Sequence, residues 1–343
     1  MDLPAAFVVH HARIQQEMRA VLEGRTLPIY DMVRYALGWQ ESDGTPREGG
    51  GGKGMRPSLT LLSAETLAGA AGRERAAGGA AAVEMVHAFS LVHDDIQDED
   101  RERHHRETVW VVWGRAQAIN VGDALRELAE HALRRSAEAG ASAEAVLAGT
   151  TLLNQAALEM IEGQYLDLSF EERTNVGVNA YLAMIGRKTG AMLGCSMGMG
   201  ALLATEDAKK VAALDRAGRR LGLCFQISDD WLGLWGDSAA TGKSTDNDIR
   251  RRKKSYPIVF AFENASGSTR ATLEAIYAKE SMSDGDVEEV MGILTSLRAS
   301  EATKLAAKEH HDGFLEELSA LDLDSAGQAS FDEIANFILH RDL

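Results

Sequence analysis

Three aspartates lie close together where an apolar segment turns acidic, in the stretch LVHDDIQDED at residues 91–100. In a helix Asp94 and Asp98 are one turn apart and Asp95 flanks them, so three carboxylates would share one small volume. Oxygen ligands at this spacing suit a hard cation, and Mg²⁺ is usually held by one or two carboxylates together with phosphate oxygens of a substrate. An isolated DDxxD is as often a solvated helix end. A second feature is therefore needed to choose between a cation site and a solvated helix end.

That second feature is another acidic pair in an apolar stretch, FQISDDWLGL at residues 225–234, where Asp229 and Asp230 stand side by side. Carboxylates on two separate helices can face each other across a bundle and hold several ions around one diphosphate. The two acidic motifs together predict a metal-dependent diphosphate site.

Basic residues near these motifs are candidates for binding phosphate. Lys53 and Arg56 follow the glycines at 49–52 and open a helix, where an anion could dock on two cations and on free backbone donors. A solvated helix start is the commoner explanation of such a pair. The segment 100–108 carries three arginines, which could grip phosphate oxygens bidentately or simply lie in a solvated loop. His87 lies two turns before the first motif, on its face of the helix.

Lys188 lies in an otherwise apolar helical segment, which is an unusual place for a cation without a partner. A lysine that points inward would need an anion, whereas one that extends to the surface would need only water.

Several other chemistries are excluded. His104 and His105 have no further ligand at metal spacing, so they do not form a zinc site. Lys243 lies in a Gly-Lys-Ser sequence, but the preceding glycine is out of register and no strand precedes it, so it is not a P-loop. The basic run at 250–254 resembles a nucleic-acid patch, yet the chain has a formal charge of −16, so a phosphate-facing role in the site is favoured.

The composition favours one large helical domain, because 45% of the 343 residues are hydrophobic and only five are proline. The N-terminus lacks a leader-like pattern and no segment approaches a membrane span. Cys195 and Cys224 have no CxxC spacing, which indicates buried thiols in a reducing compartment. We therefore expect a cytoplasmic protein.

Periodicity and breakers predict which elements carry these residues. A loop is expected at about 41–54, a second at 100–108 and a third at 236–248. Helices are expected at 5–23, 29–39, from Lys53 onward, and at 76–99, 109–137, 143–170, 178–204 and 206–236, with further helices after Pro257.

The order of these motifs resembles that of the trans-isoprenyl diphosphate synthases, the polyprenyl synthetase family, over about residues 52–257. The matching residues are Lys53, Arg56 and His87 for a homoallylic diphosphate site, Asp94, Asp95 and Asp98 for a first aspartate motif, Gln226, Asp229 and Asp230 for a second, and Lys188, Thr189, Lys243, Asp248 and Lys253 for further diphosphate contacts.

The resemblance implies an all-α, single-domain bundle over 1–343 with a deep central cavity, usually as a homodimer. It also implies the substrates, isopentenyl diphosphate and an allylic diphosphate, and a cofactor, Mg²⁺, with three ions expected per site. In this chemistry the allylic diphosphate ionises, isopentenyl diphosphate attacks the cation, and the released pyrophosphate takes the last proton. Metal and cationic side chains neutralise the leaving charge, while an apolar cavity excludes water.

Three positions depart from the family pattern. Gly233 stands where the second motif usually has a third aspartate, and Glu107 replaces a proline before Thr108. The paired arginines after the first motif become Arg103 and His104, and a neutral histidine would hold the homoallylic diphosphate less firmly near pH 7. We expect activity, with a raised requirement for isopentenyl diphosphate.

Phe89 lies five positions before Asp94, about 7.5 Å deeper along a helix, and Ser90 beside it is small. An aromatic residue at this position is similar to the pattern of short-chain family members, which predicts geranylgeranyl diphosphate first and farnesyl diphosphate second. Phe89 could also be an ordinary core residue.

Two alternative functions compete with that of a prenyl diphosphate synthase, and each belongs to another class of protein. A class I terpene cyclase also carries DDxxD, but its second metal motif is not found here. A non-catalytic subunit of a heteromeric prenyl synthase is suggested by Gly233, His104 and Glu107.

Overall fold

The protein is described by a computed structural model that covers residues 3–47, 52–171, 173, 175–236 and 247–340. Within these ranges the regular structure is helical, apart from one antiparallel hairpin of two short strands, β1 (Glu102–Arg103) and β2 (Arg106–Glu107). The predicted all-α class is confirmed. No helix in the described ranges has the length and apolar character needed to cross a membrane.

Before and after the hairpin, the N-terminal half contains α1 (Ala5–Leu22), α2 (Pro28–Ala36), α3 (Met55–Gln97), α4 (Val109–Trp113), α5 (Arg115–Glu138) and α6 (Ala143–Glu171). The C-terminal half contains α7 (Val178–Ile185), a π-helical turn (Gly186–Gly190), α8 (Ala191–Ala204), α9 (Ala208–Trp235), α10 (Asn247–Arg250), α11 (Tyr256–Asn264), α12 (Gly267–Tyr277), α13 (Asp284–Ser296), α14 (Ala299–Ser319) and α15 (Ser325–His340).

The chain divides into two compact units. The first unit comprises residues 5–154 and 195–214, and the second comprises the described residues of 1–4, 155–194 and 215–343. The divisions fall inside α6, α8 and α9, so these helices contribute residues to both units.

In the first unit, helix α3 packs against α5 and α1. Small residues bring the backbones close together, since a Cβ added at Gly78 would lie 2.5 Å from the carbonyl oxygen of Ala132. The same holds for Gly200, whose added Cβ would lie 2.1 Å from the carbonyl oxygen of Thr60. The long helix α3 thus forms a tightly held support that ends at the first aspartate motif.

In the second unit, α11 packs against α14 and α7, and α14 packs against α15. Ile258 and Phe262 of α11 are buried in one apolar cluster with Leu234 near the end of α9. Tyr256 and Val259 enter a second cluster with Ile227, also in α9. Helix α9, which carries Asp229 and Asp230, is therefore held against α11 by two apolar clusters.

The predicted helices agree with the structure in most places, and glycine explains several differences. Helix α3 is one long element that begins at Met55, with non-helical torsions at Ala68 and Gly69. The run predicted at 109–137 is broken at Gly114, which has φ +84°. The segment predicted as a loop at 100–108 contains the hairpin, whose turn residues His104 and His105 have positive φ.

Candidate functional site

The first aspartate motif forms the end of α3. Asp94 and Asp95 lie in its last turn, and Asp98 is the C-cap residue, whose N–H donates to the carbonyl oxygen of Asp94. The Asp95 side chain is buried. Burial raises the pKa of Asp95 to about 6; Arg103 opposes this shift, whereas Asp100 and Asp98 add to it. The predicted crowding of like charges is thus present, and one carboxyl is partly protonated at mildly acid pH.

Three of the predicted diphosphate-binding residues gather near this motif. Arg103 donates through Nε to Oδ1 of Asp95 at 2.7 Å. Arg56 Nη1 lies 3.1 Å from Nε2 of His87. Burial, with Arg56 and then Arg103 nearby, holds the pKa of His87 well below its usual value. His87 is therefore neutral at pH 7 and can accept the hydrogen bond from Arg56.

Two arginines of the segment 100–108 have different roles, since Arg103 binds Asp95 and Arg106 does not. Arg106 donates to the carbonyl oxygens of Tyr35 and Gln40, and its guanidinium lies 4.0 Å from the centre of the Tyr35 ring. The idea that all three arginines could grip phosphate is therefore wrong for Arg106, which ties the hairpin to α2. His104 is exposed in the turn.

Other predicted residues lie just before α3 or within it. Lys53 is exposed just before the helix, and Gly54 at its N-cap has the left-handed torsion φ +60°. Phe89 is buried and meets the ring of His93 edge to face, with 4.9 Å between ring centres. The hydroxyl of Ser90 donates to the carbonyl oxygen of His87, so it is engaged within the helix.

In the second unit, Asp230 is almost completely buried, with 2% exposed. Its Oδ2 accepts from the backbone N–H of Tyr256 at 2.7 Å and from the hydroxyl of Tyr181. Its Oδ1 accepts from the side-chain amide of Gln226 at 3.2 Å. Burial raises the pKa of Asp230 to about 6, although Lys253, Tyr181 and the backbone N–H of Tyr256 oppose the shift. The Asp230 carboxyl is therefore held in place by hydrogen bonds from the protein.

The hydrogen bonds continue from Asp230 to the π-helical turn. Gln226 accepts a hydrogen bond from the hydroxyl of Thr189 at 3.0 Å, so two predicted substrate-binding residues are in contact. Lys188, one residue earlier, donates to Oδ2 of Asp167 at 2.6 Å. Of the two alternatives for Lys188, the structure shows the one with an anionic partner, and α6 supplies that partner as Asp167. A Cβ at Gly163 of α6 would lie 2.3 Å from the backbone nitrogen of Lys188, so the turn and α6 are in direct contact.

Lys253 is the common neighbour of the acids in the second unit. Although burial opposes its charge, the carboxylates of Asp248, Asp230, Asp167 and Asp229 keep the pKa of Lys253 above its usual value. Its Nζ lies 4.0 Å from Oδ2 of Asp248. Of the predicted phosphate-binding residues, Lys243 lies outside the described residues.

The donor set fits a hard cation that also takes ligands from a substrate. Within the described ranges, no group of three or more His, Cys, Asp or Glu side chains is arranged to hold a metal ion alone. Mg²⁺ does not need such a group, since it is commonly held by one or two carboxylates plus phosphate oxygens and water. Acids outnumber cations around Lys253, which leaves negative charge for a divalent ion.

Asp167 and Tyr181 belong to the site but were not singled out in the sequence. Each contacts a predicted residue more than 20 positions away, Lys188 and Asp230 respectively. The sequence signal for Asp167 is Lys188 in an apolar segment, because a lysine that points inward needs an anion.

A family model described as polyprenyl synthetase matches residues 48–294. The chain is similar to the (2E,6E)-farnesyl diphosphate synthase of Mycobacterium tuberculosis, with 33% identity over 96% of this chain and 91% of that protein. It is 37% identical to the geranylgeranyl diphosphate synthase of M. tuberculosis, over 81% of this chain and 77% of that protein.

The structural likeness extends over almost the whole chain. The crystal structure of a polyprenyl synthetase from Streptomyces coelicolor A3(2) superimposes with a TM-score of 0.88. It is 36% identical and covers 97% of this chain and 98% of that one. The helical fold expected from the motifs is therefore the observed fold.

The raised pKa of Asp230 leads to a testable pH dependence. Because the folded pKa is about 6 and the usual value is 3.8, the folded protein binds the extra proton between these limits. In metal-free buffer, ionisation of Asp230 should therefore lower the unfolding free energy as pH rises from about 4 to about 6, by about 3 kcal/mol.

Chemical denaturation of the wild type and of Asp230→Asn across this range isolates the effect. The substitution also changes pH-independent contacts, so the slope of the difference between the two proteins is the test. The wild type should lose stability relative to the variant with rising pH. A difference that stays flat or rises would contradict the raised pKa.

Proposed function

Since the chain belongs to the polyprenyl synthetase family of prenyltransferases, we propose that it condenses isopentenyl diphosphate head to tail with an allylic diphosphate to give geranylgeranyl diphosphate. The observation that carries the chemistry is the excess of carboxylates over cations in the second unit. Asp167, Asp229, Asp230 and Asp248 act on one ammonium group, that of Lys253. Lys188 pairs with the first of these acids.

We propose that Asp94, Asp95 and Asp98, together with Asp229, hold three Mg²⁺ ions around the allylic diphosphate. When bound, Mg²⁺ supplies the positive charge that stabilises the departing pyrophosphate. Lys188 and Lys253 add fixed cations on the second unit. Asp230 keeps α9 and α11 in register through Tyr256 and Tyr181, and so positions Asp229.

The homoallylic substrate is assigned to the cationic group of the first unit. Arg56 and His87 are already in contact, and Arg103 lies close enough to affect the pKa of His87. A diphosphate can accept charge-assisted hydrogen bonds from the two arginines, while Lys53 lies at the start of the same helix. The released pyrophosphate is the proposed acceptor of the final proton, so a protein base is not required.

Burial of Phe89 on the helix of the first motif supports the product assignment. Five positions before Asp94, a buried ring can limit the depth available to a growing chain, and the ring of His93 packs against its edge. Farnesyl diphosphate is the second candidate, because a farnesyl diphosphate synthase is among the similar proteins.

A homodimer is proposed from an apolar face of α6. Leu158, Ile161 and Tyr165 recur at helical spacing and are 51%, 50% and 71% exposed. A second copy could cover this face, and gel filtration with light scattering would show a single monomeric species if the proposal is wrong.

Turnover by the purified chain alone separates an enzyme from a non-catalytic subunit. With Mg²⁺, isopentenyl diphosphate and dimethylallyl, geranyl or farnesyl diphosphate, we expect formation of a longer prenyl diphosphate. Asp229→Asn removes one acid proposed to hold the Mg²⁺ that stabilises the leaving charge, so kcat should fall by at least about 100-fold. A silent wild type that is activated by a second chain would instead support the partner-subunit function.

Product length tests the role of Phe89. Phe89→Ala should shift the products towards longer prenyl alcohols after dephosphorylation, measured by chromatography. The lost core packing costs about 3–5 kcal/mol, so Phe314→Leu, in a buried aromatic contact with Phe331, controls for a loosened core. An unchanged product profile in Phe89→Ala would contradict the assignment.

The histidine after Arg103 tests the homoallylic site. His104→Arg places a permanent cation in the hairpin turn, so the KM for isopentenyl diphosphate should fall while the KM for the allylic substrate stays the same. The exposed neighbour offers a matched control, His105→Arg, for which neither constant should change. Equal kinetics for the wild type and His104→Arg would remove the basis for this role.

A further inference from the structure

The position that lacks an acid in the second motif is in contact with another acid. Gly233 lies one helical turn after Asp229 in α9. A Cβ added there would lie 2.8 Å from Oδ2 of Asp248 and 3.7 Å from its Cγ. Real Cβ atoms hardly ever come this close to an oxygen, so the carboxylate of Asp248 occupies the space that a side chain at 233 would take.

Asp230 cannot easily fill the gap left by the missing aspartate. Its side chain is 2% exposed, and both of its oxygens accept hydrogen bonds from Tyr181, Tyr256 and Gln226. An ion bound at Asp230 would have to displace buried donors, which is costly. The side chain of Asp248 is 27% exposed and has no such set of donors among the described contacts.

We propose that Asp248 supplies the missing acid of the second motif, so that Asp229 and Asp248 bind the divalent cation and Asp230 acts as a positioning residue. This inference rests on the proposed function and specifies which side chains of the second unit carry the metal. In this chain the glycine leaves room for that carboxylate, because a side chain at 233 would have to move Asp248 aside.

The competing explanation is that Asp248 only pairs with Lys253. Their closest charged atoms are 4.0 Å apart, beyond direct hydrogen-bond distance. A purely structural pair would not need the carboxylate to lie against the backbone of α9. Metal affinity distinguishes the two explanations, since only the proposal links it to both Gly233 and Asp248.

Binding of Mn²⁺ can be measured without turnover, by calorimetry or electron paramagnetic resonance, in the presence of an unreactive allylic thiolodiphosphate. Asp248→Asn has nearly the same shape and should weaken Mn²⁺ binding by about 10-fold or more. Gly233→Ala adds one methyl group and no charge, yet it should weaken binding to a similar degree. The double variant should be no weaker than either single variant.

Two further variants make the result specific. Gly292→Ala, in the middle of α13 with nothing within 4 Å of the added Cβ, should leave Mn²⁺ affinity unchanged. The double variant Gly233→Asp with Asp248→Asn moves the acid from position 248 to position 233. It should regain part of the Mn²⁺ affinity that Asp248→Asn loses. Melting temperatures of all variants identify any loss of folding, and the conservative Asp248→Asn remains informative if Gly233→Ala is unstable.

Mn²⁺ affinity equal to the wild type in Asp248→Asn overturns the inference. The proposed function is tested separately by turnover of the wild type. An active wild type whose Asp248→Asn variant binds Mn²⁺ normally would disprove only the role of Asp248. An inactive wild type would count against the proposed function itself.

Discussion

Mutual repulsion of carboxylates is the constraint that organises this protein. Asp94, Asp95 and Asp98 end one helix of the first unit, and Arg103 binds the most buried of them. In the second unit the carboxylates of four aspartates keep the pKa of Lys253 above its usual value. Such arrangements cost free energy unless cations and hydrogen-bond donors offset the charge. The fold supplies some of both, and the remaining negative charge suits divalent metal.

The surrounding structure serves to keep these acids in place. Helix α3 holds the first motif through close backbone contacts at Gly78 and Gly200. The π-helical turn lies against α6 at Gly163 and carries Lys188 to Asp167 and Thr189 to Gln226. π-Helical turns are often found at functional sites. Here the turn carries two consecutive polar side chains that bind different partners, Lys188 to Asp167 and Thr189 to Gln226.

Much of the site could be predicted from the sequence because its residues sit at fixed spacing on helices. One turn separates Asp94 from Asp98, and any α-helix through them brings both to one face. The same local argument finds Gln226 beside Asp230. It fails where the partner is distant in sequence: the bond from Tyr181 to Asp230 and the pair of Lys188 with Asp167 depend on packing. Arg103 and Arg106 lie in the same charged segment and cannot be told apart by their charge in the sequence. Tertiary structure places Arg106 against Tyr35.

We propose that the acids of α3 and α9 act on one diphosphate. The most direct test is a double-mutant cycle with Asp94→Asn and Asp229→Asn, measuring the Mn²⁺-dependent affinity for an unreactive allylic thiolodiphosphate. Sites that share the ligand should be coupled, so that the double variant loses much less than the sum of the two single losses. Strictly additive losses would show that the two acid sets act independently and would contradict the proposal.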